Sequence, residues 1–241
     1  MIKRHLPSLI MTEKITNVSI EIGELTGMIS LSKHICQNSA FREENQFQSI
    51  YSSLAFERNP LTHDQVRDII DGKRVYGTLQ DIREVQNLYE VFSIISKLNP
   101  YSIENLIRVY NIVMHDLIIQ QNKEVDNLFL WLKETQQHPL IKSCIFHYQF
   151  QRIQPLTDEN SRISIIWHKL ILSSWREFFL WLPIEIPIYK EQKKYDQALN
   201  VSSKEGQSAV FVEYILTIIK DTLKEWLSTE LLFANSTPPM L

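Results

Sequence analysis

Apolar positions along this chain recur at intervals of three and four almost from end to end, a spacing that predicts helices rather than strands. In "DIREVQNLYEVFSIISKL", Ile82, Val85, Leu88, Tyr89, Phe92 and Ile95 fall on one helical face. "SIENLIRVYNIVMHDLII" repeats the arrangement through Ile103, Leu106, Ile107, Tyr110, Val113, Met114 and Leu117. Asn99–Pro100 breaks the two segments apart, and Ser102 is placed to cap the second. The same pattern predicts helices at about 12–37, 45–57, 62–71, 124–135, 139–152, 160–181, 188–199 and 207–233. "LWLPIEIPIY" is the one β-like stretch, and Pro183 and Pro187 make it an expected extended connection. The expectation is an all-α single domain over residues 41–233. A semi-independent helical extension is expected over 1–40 and a disordered tail over 234–241.

Composition narrows the class. The 241 residues, 44% hydrophobic and 22% charged, suit an ordinary soluble domain with a sizeable core. A net charge of −3, with no stripe of Lys and Arg, argues against nucleic acid as a partner; "KEQKK" at 190–194 reads as a solvated face. "MIKRHLPSLIM" is interrupted by Pro7 and too short for a signal peptide, and no apolar run reaches membrane-spanning length. Two distant cysteines, Cys36 and Cys144, point to a reducing compartment, hence the cytoplasm. His115, His138 and His168 lack metal-ligand spacing, and Trp131, Trp167, Trp175 and Trp181 sit on apolar helical faces as core residues. The five glycines stand at 23, 27, 72, 77 and 206, so any phosphate loop between 78 and 205 lacks its preferred residue.

Residues 145–162, "IFHYQFQRIQPLTDENSR", include a proline, two acids, an asparagine and two arginines next to apolar stretches. On their own terms they read as a helix start, with Thr157 as cap and Asp158 and Glu159 in the first turn facing the helix dipole. The stretch also resembles the signature of the Fic family (the Fido fold), H-x-x-F-x-x-I-H-P-F-x-D-G-N-G-R-x-x-R. His147, Phe150, Ile153, Pro155, Asp158, Asn160 and Arg162 stand where that pattern puts them. "SSLAFERNPLTHDQVRDII" at 52–70 is similar to the family's inhibitory segment and the helix after it, and the likeness runs over roughly residues 40–230. The resemblance implies a helical Fido fold and transfer of AMP from ATP to a protein hydroxyl. In that chemistry the signature histidine is the general base and its acid holds Mg²⁺. The G-N-G-R backbone cradles phosphate, and the arginines neutralise it.

Several departures count against that activity. Gln154 occupies the histidine's position and cannot take up a proton near neutral pH, where general base catalysis is typically worth about 10²–10⁴-fold. Glu159 and Ser161 replace the two glycines, which is expected to restrict access to positive φ and to add a negative charge where phosphate would sit. Leu156 stands for phenylalanine, and Ile165 for the second arginine. The stretch from "VMHDLI" through "IQQNKEV" leaves no room for the β-hairpin flap usual in active members. Ser53 and Glu57 match the inhibitory motif, but Arg58 replaces its small residue and Ile165 its arginine target; Glu57 is expected to pair locally, with Arg58 or Arg162. The expected protein is therefore a Fic-fold member with a degenerate adenylyltransferase site, inactive and serving as an interaction or regulatory module. The alternative is a nucleotidyltransferase working by a variant mechanism. Asn160 and Arg162 are the candidate nucleotide contacts and Asp158 the candidate metal ligand. No cofactor is expected, except ATP with Mg²⁺ if activity persists. The expected partner is a protein, with a second copy of the chain as one option, and neither nucleic acid nor membrane.

Overall fold

In the computed structural model, residues 9–114, 122–156 and 159–236 are described, 33–34 and 230–236 as backbone only, and no strand occurs among them. The helices are α1 (Glu13–Leu31), α2 (Lys33–Gln37), α3 (Ser39–Phe56), α4 (His63–Ile70), α5 (Leu79–Ile94) and α6 (Ile103–Met114). They continue as α7 (Lys123–Glu134), α8 (Pro139–Ile153), α9 (Asn160–Ser173), α10 (Glu185–Lys190), α11 (Gln192–Glu205) and α12 (Ala209–Ser236). Side-chain caps begin most of the helices around the site. Thr12, Asn38, Thr62, Thr78, Asn122 and His138 each accept a hydrogen bond from a backbone N–H of the first turn that would otherwise lack a partner.

Several boundaries differ from the expected ones. The helix expected over 12–37 is two, because the Ser32 hydroxyl accepts from Ile35 N–H (3.0 Å) and starts α2 afresh. Asn38 caps α3, which therefore begins at Ser39 rather than near 45. The segment expected as one helix over 160–181 ends at Ser173 and resumes as a 3₁₀ turn over Glu177–Leu180. "LWLPIEIPIY" is not extended: α10 includes Pro187, which sits in the first helical turn where no backbone hydrogen bond is lost to it. Helix α12 runs through Ser236, past the expected start of the tail, and 237–241 lie outside the described residues. The division expected at residue 40 falls inside α3, and α1 packs along α12 while burying Ile15, Val18, Ile22, Leu25 and Ile29 in the shared core.

Helices α8 and α9 form the centre and are buried on all sides, α8 continuously from Leu140 to Gln151 and α9 from Arg162 to Leu172. A helix so enclosed must satisfy its polar side chains internally. Gln151 Nε2 donates to Tyr195 Oη (2.9 Å) and Ser164 Oγ (3.0 Å), and His147 Nε2 lies 3.0 Å from the same Tyr195 oxygen. Those contacts lock α8, α9 and α11 together. Lys169 Nζ donates to Glu185 Oε1 (3.0 Å), Glu185 Oε2 (3.2 Å) and Ser49 Oγ (2.9 Å), joining α9, α10 and α3. Trp167 Nε1 donates to the Pro100 carbonyl (3.0 Å), tying α9 to the turn before α6. The α8–α9 connection is thus held at both ends by a rigid polar core, and it carries the candidate site.

Candidate functional site

Helix α8 ends at Gln154, which lies exposed in the left-handed region (φ 44°, ψ 59°) with its N–H donating to the Phe150 carbonyl. Helix α9 starts from a second left-handed residue, Glu159 (φ 66°, ψ 10°), whose carbonyl accepts from Ile163 N–H. Glu159 is therefore the N-cap itself and makes no side-chain cap bond, instead of sitting in a first turn capped by Thr157. Thr157 and Asp158, with the metal role expected of Asp158, lie outside the described residues. Losing glycine at 159 was expected to restrict the loop from positive φ, yet the backbone goes there. Left-handed geometry costs a non-glycine residue about 1–2 kcal/mol, and neighbouring contacts must offset it.

Two contacts do so. Asn160 clamps the loop: its Oδ1 accepts from Leu156 N–H (3.1 Å), its Nδ2 donates to the Leu156 carbonyl (2.8 Å), and Leu156 itself is buried. Arg162 Nη1 lies 2.7 Å from Glu159 Oε2, in an ion pair whose arginine side chain is 1% exposed. The carboxamide of Asn160 is thereby committed to shaping the loop. Replacing Asn160 with Ala is expected to lower the unfolding free energy by about 1–3 kcal/mol, two backbone hydrogen bonds being lost and their partners left unmet. Urea denaturation reads this directly; an unchanged midpoint would mean that the loop closes without Asn160.

The end of α3 comes up beside α9. Ser53 and Glu57 line a narrow crevice together with Phe56, Arg162, Ile165 and Glu185. The fold thus brings Ser53 and Glu57 to the same crevice as Arg162, whereas Asn160, the other candidate nucleotide contact, does not line it. The ion pair recorded for Arg162 is with Glu159, and Ile165 is 4% exposed and packed in the core, where it offers no charge to an anion. Arg58, like Glu159, takes a left-handed conformation (φ 65°) at a position where the resembled pattern has a small residue. Asn59 next to it fixes this corner, donating to Glu84 Oε2 (2.9 Å) and the Asp81 carbonyl (3.2 Å) while accepting from Leu61 N–H.

Beside the loop opens a cleft of about 720 Å³, within the range of small-molecule sites. Its walls carry three carboxylates, Glu57, Glu84 and Glu159, against the single guanidinium of Arg83, over an apolar floor of Leu79, Val113 and Met114. That balance repels a polyanion. No group of three His, Cys, Asp or Glu able to hold a metal occurs among the described residues. The segment expected to lack a flap falls largely on 115–121, outside the described residues, between α6 and α7.

Sequence reasoning missed Arg83 and Glu84, which look like ordinary charges on an amphipathic helix, and it missed the Asn59 tether. It also missed the Lys169–Glu185 pair, although a lysine within "IIWHKLILS" and a glutamate within "WLPIEIPIY" were visible signals of buried charge.

Comparison with known proteins agrees with this geometry. A sequence model described as the Fic/DOC family matches residues 60–172. A Fic family protein from Desulfovibrio desulfuricans G20 is 31% identical, with a TM-score of 0.87 over 93% of this chain and 77% of its own. Fic-1 from C. elegans, at 18% identity, has a TM-score of 0.71 over 90% of this chain and 71% of its own. A Fic domain-containing signaling protein from Bacteroides thetaiotaomicron, at 14% identity, has a TM-score of 0.66 over 90% and 98%. The latter two share the fold; the first, with the sequence model and the α8–loop–α9 arrangement, shows that this chain belongs to the Fic/DOC family.

Proposed function

We propose that this protein keeps the Fic fold without transferring AMP and works as an interaction or regulatory module for a protein partner in the cytoplasm. The observation that carries the reading is the residue at the turn out of α8. Gln154 holds the backbone position from which the signature histidine would act, and a carboxamide has no basic nitrogen with which to take a hydroxyl proton. Two further features support it: the carboxylate of Glu159 sits on Arg162, and the cleft beside the loop is acidic. Nucleic acid is a poor partner for a chain of net charge −3, and no helix among the described residues is long and apolar enough to cross a membrane.

The test is incubation of the intact chain with labelled ATP, Mg²⁺ or Mn²⁺ and a cell lysate. No label should pass to protein. Label that does pass, and that disappears when Arg162 is replaced, would overturn the proposal. One observation favours a second reading, a transferase of variant mechanism: the loop retains left-handed turns at both ends despite its changed side chains. Calorimetry with ATP and Mg²⁺ separates the two, since saturable sub-millimolar binding belongs only to the second.

A further inference from the structure

We propose that Glu159 is an internal occupant of an oxyanion site, its carboxylate holding the place beside Arg162 that a phosphate or carboxylate ligand would otherwise take. The inference rests on the reading that the loop of the unaltered chain does not receive a nucleotide, and it adds what fills the loop instead.

Three observations converge on the start of α9. Arg162 is buried to 1% exposure, and Glu159 Oε2 lies 2.7 Å from its Nη1. Its other two nitrogens, Nε and Nη2, are buried and make no hydrogen bond within the described residues. A buried guanidinium with two idle donors is costly, and structures rarely leave one without reason. The donor set is larger than one carboxylate oxygen uses. The second observation is position. Arg162 lies in the first turn of a 14-residue helix, whose N-terminal backbone N–H groups and dipole favour negative charge at that end. Glu159, the N-cap, makes no side-chain bond to those N–H groups, so its carboxylate faces the arginine without capping the helix. The third observation is access. Glu159 also lines the 720 Å³ cleft, so an anion entering from the cleft meets a carboxylate before it meets Arg162.

The backbone makes this occupant removable. Glu159 stands at φ 66°, which glycine adopts freely, and the Asn160–Leu156 clamp that shapes the loop does not involve the glutamate side chain. Glu159→Gly therefore deletes the internal anion while leaving the loop path intact. Glu159→Gln keeps the side chain's size and removes its charge.

The experiment is calorimetric titration of the intact chain and its variants with inorganic pyrophosphate, metal-free, at low salt. The unaltered chain should show no saturable binding. Glu159→Gly should bind roughly tenfold more tightly or better, the least expected when a unit charge is removed from contact with the incoming anion. Pyrophosphate should also raise the melting temperature of that variant alone. Adding Arg162→Ala to Glu159→Gly should abolish the binding. Where Glu159→Gly fails to fold, by circular dichroism, Glu159→Gln takes its place. Silence from every folded variant, equal binding by the unaltered chain, or binding that survives loss of Arg162 would each overturn the proposal. ATP labelling by the unaltered chain would overturn the functional reading instead, so the two failures are told apart.

Discussion

Between pH 7 and pH 5 the folded state is expected to lose roughly 2 kcal/mol through His168, and His147 shifts stability in the same direction. Both imidazoles are wholly buried, with ring centroids 5.6 Å apart on the facing helices α8 and α9. Burial pushes His168 down to about 4; a weak contact with the Ser143 backbone opposes this and the charge of Lys169 adds to it. Burial, and then repulsion from His168, hold His147 well below the ordinary histidine range. The unfolded chain therefore binds protons that the folded one refuses. Stability is complete above about pH 6.5 and is lost as pH falls toward the folded value. Tyr195, against which His147 rests, is pushed upward by burial and stays a neutral phenol throughout this range. Urea midpoints at pH 7, 6 and 5 measure the effect. His168→Leu should flatten the dependence by about one proton's worth of slope, and a midpoint that stays put in the unaltered chain would refute the account.

Lys169→Met is expected to cost about 3–5 kcal/mol, because it leaves the Glu185 carboxylate buried without its cation. The two side chains are 1% and 3% exposed, and burial pulls the lysine below its usual range while Glu185 pulls it back up. Ser49 shares the ammonium, and the Phe92 ring lies 5.2 Å from it. The double substitution Lys169→Met with Glu185→Leu should recover most of the loss, since well-packed apolar side chains often replace a buried pair at little cost. A double-mutant cycle by urea denaturation gives the coupling directly. Equal midpoints for Lys169→Met and the unaltered chain would show that the pair contributes nothing. The result bears on the site as well. Ser49 and Ser53 lie one turn apart on α3, and Glu185 lines the crevice shared by Ser53, Glu57 and Arg162, so loosening the pair loosens the wall of the loop.

Much of the helical pattern is legible in the sequence. Periodicity over 81–98, 102–119 and 139–152 matches α5, α6 and α8 across the described residues, because each carries a continuous apolar stripe bounded by a cap or a proline. It ran α1 into α2, since the break at Ser32 is a single hydroxyl in an otherwise helical pattern. It misjudged Pro187, because a proline in a first turn and one in an extended segment look alike in one dimension.

The loop divides along the same line. Sequence alone established what its chemistry lacks: residue 154 has no titratable nitrogen, residue 165 has no charge, and those facts hold in any fold. The resemblance to a known segment singled out Ser53 and Glu57, and the crevice they share with Arg162 came from the packing of α3 beside α9. The tertiary structure decided the rest. Whether Glu159 could enter a left-handed turn depended on an arginine three residues on and on the Asn160 clamp, and the contacts outweighed the intrinsic preference. Which partner Arg162 took, and whether its charge was spent on a ligand or on the chain itself, depended on burial. A residue's chemistry is carried by its own atoms, whereas its neighbours, solvent and electrostatic field come from segments far away in the chain.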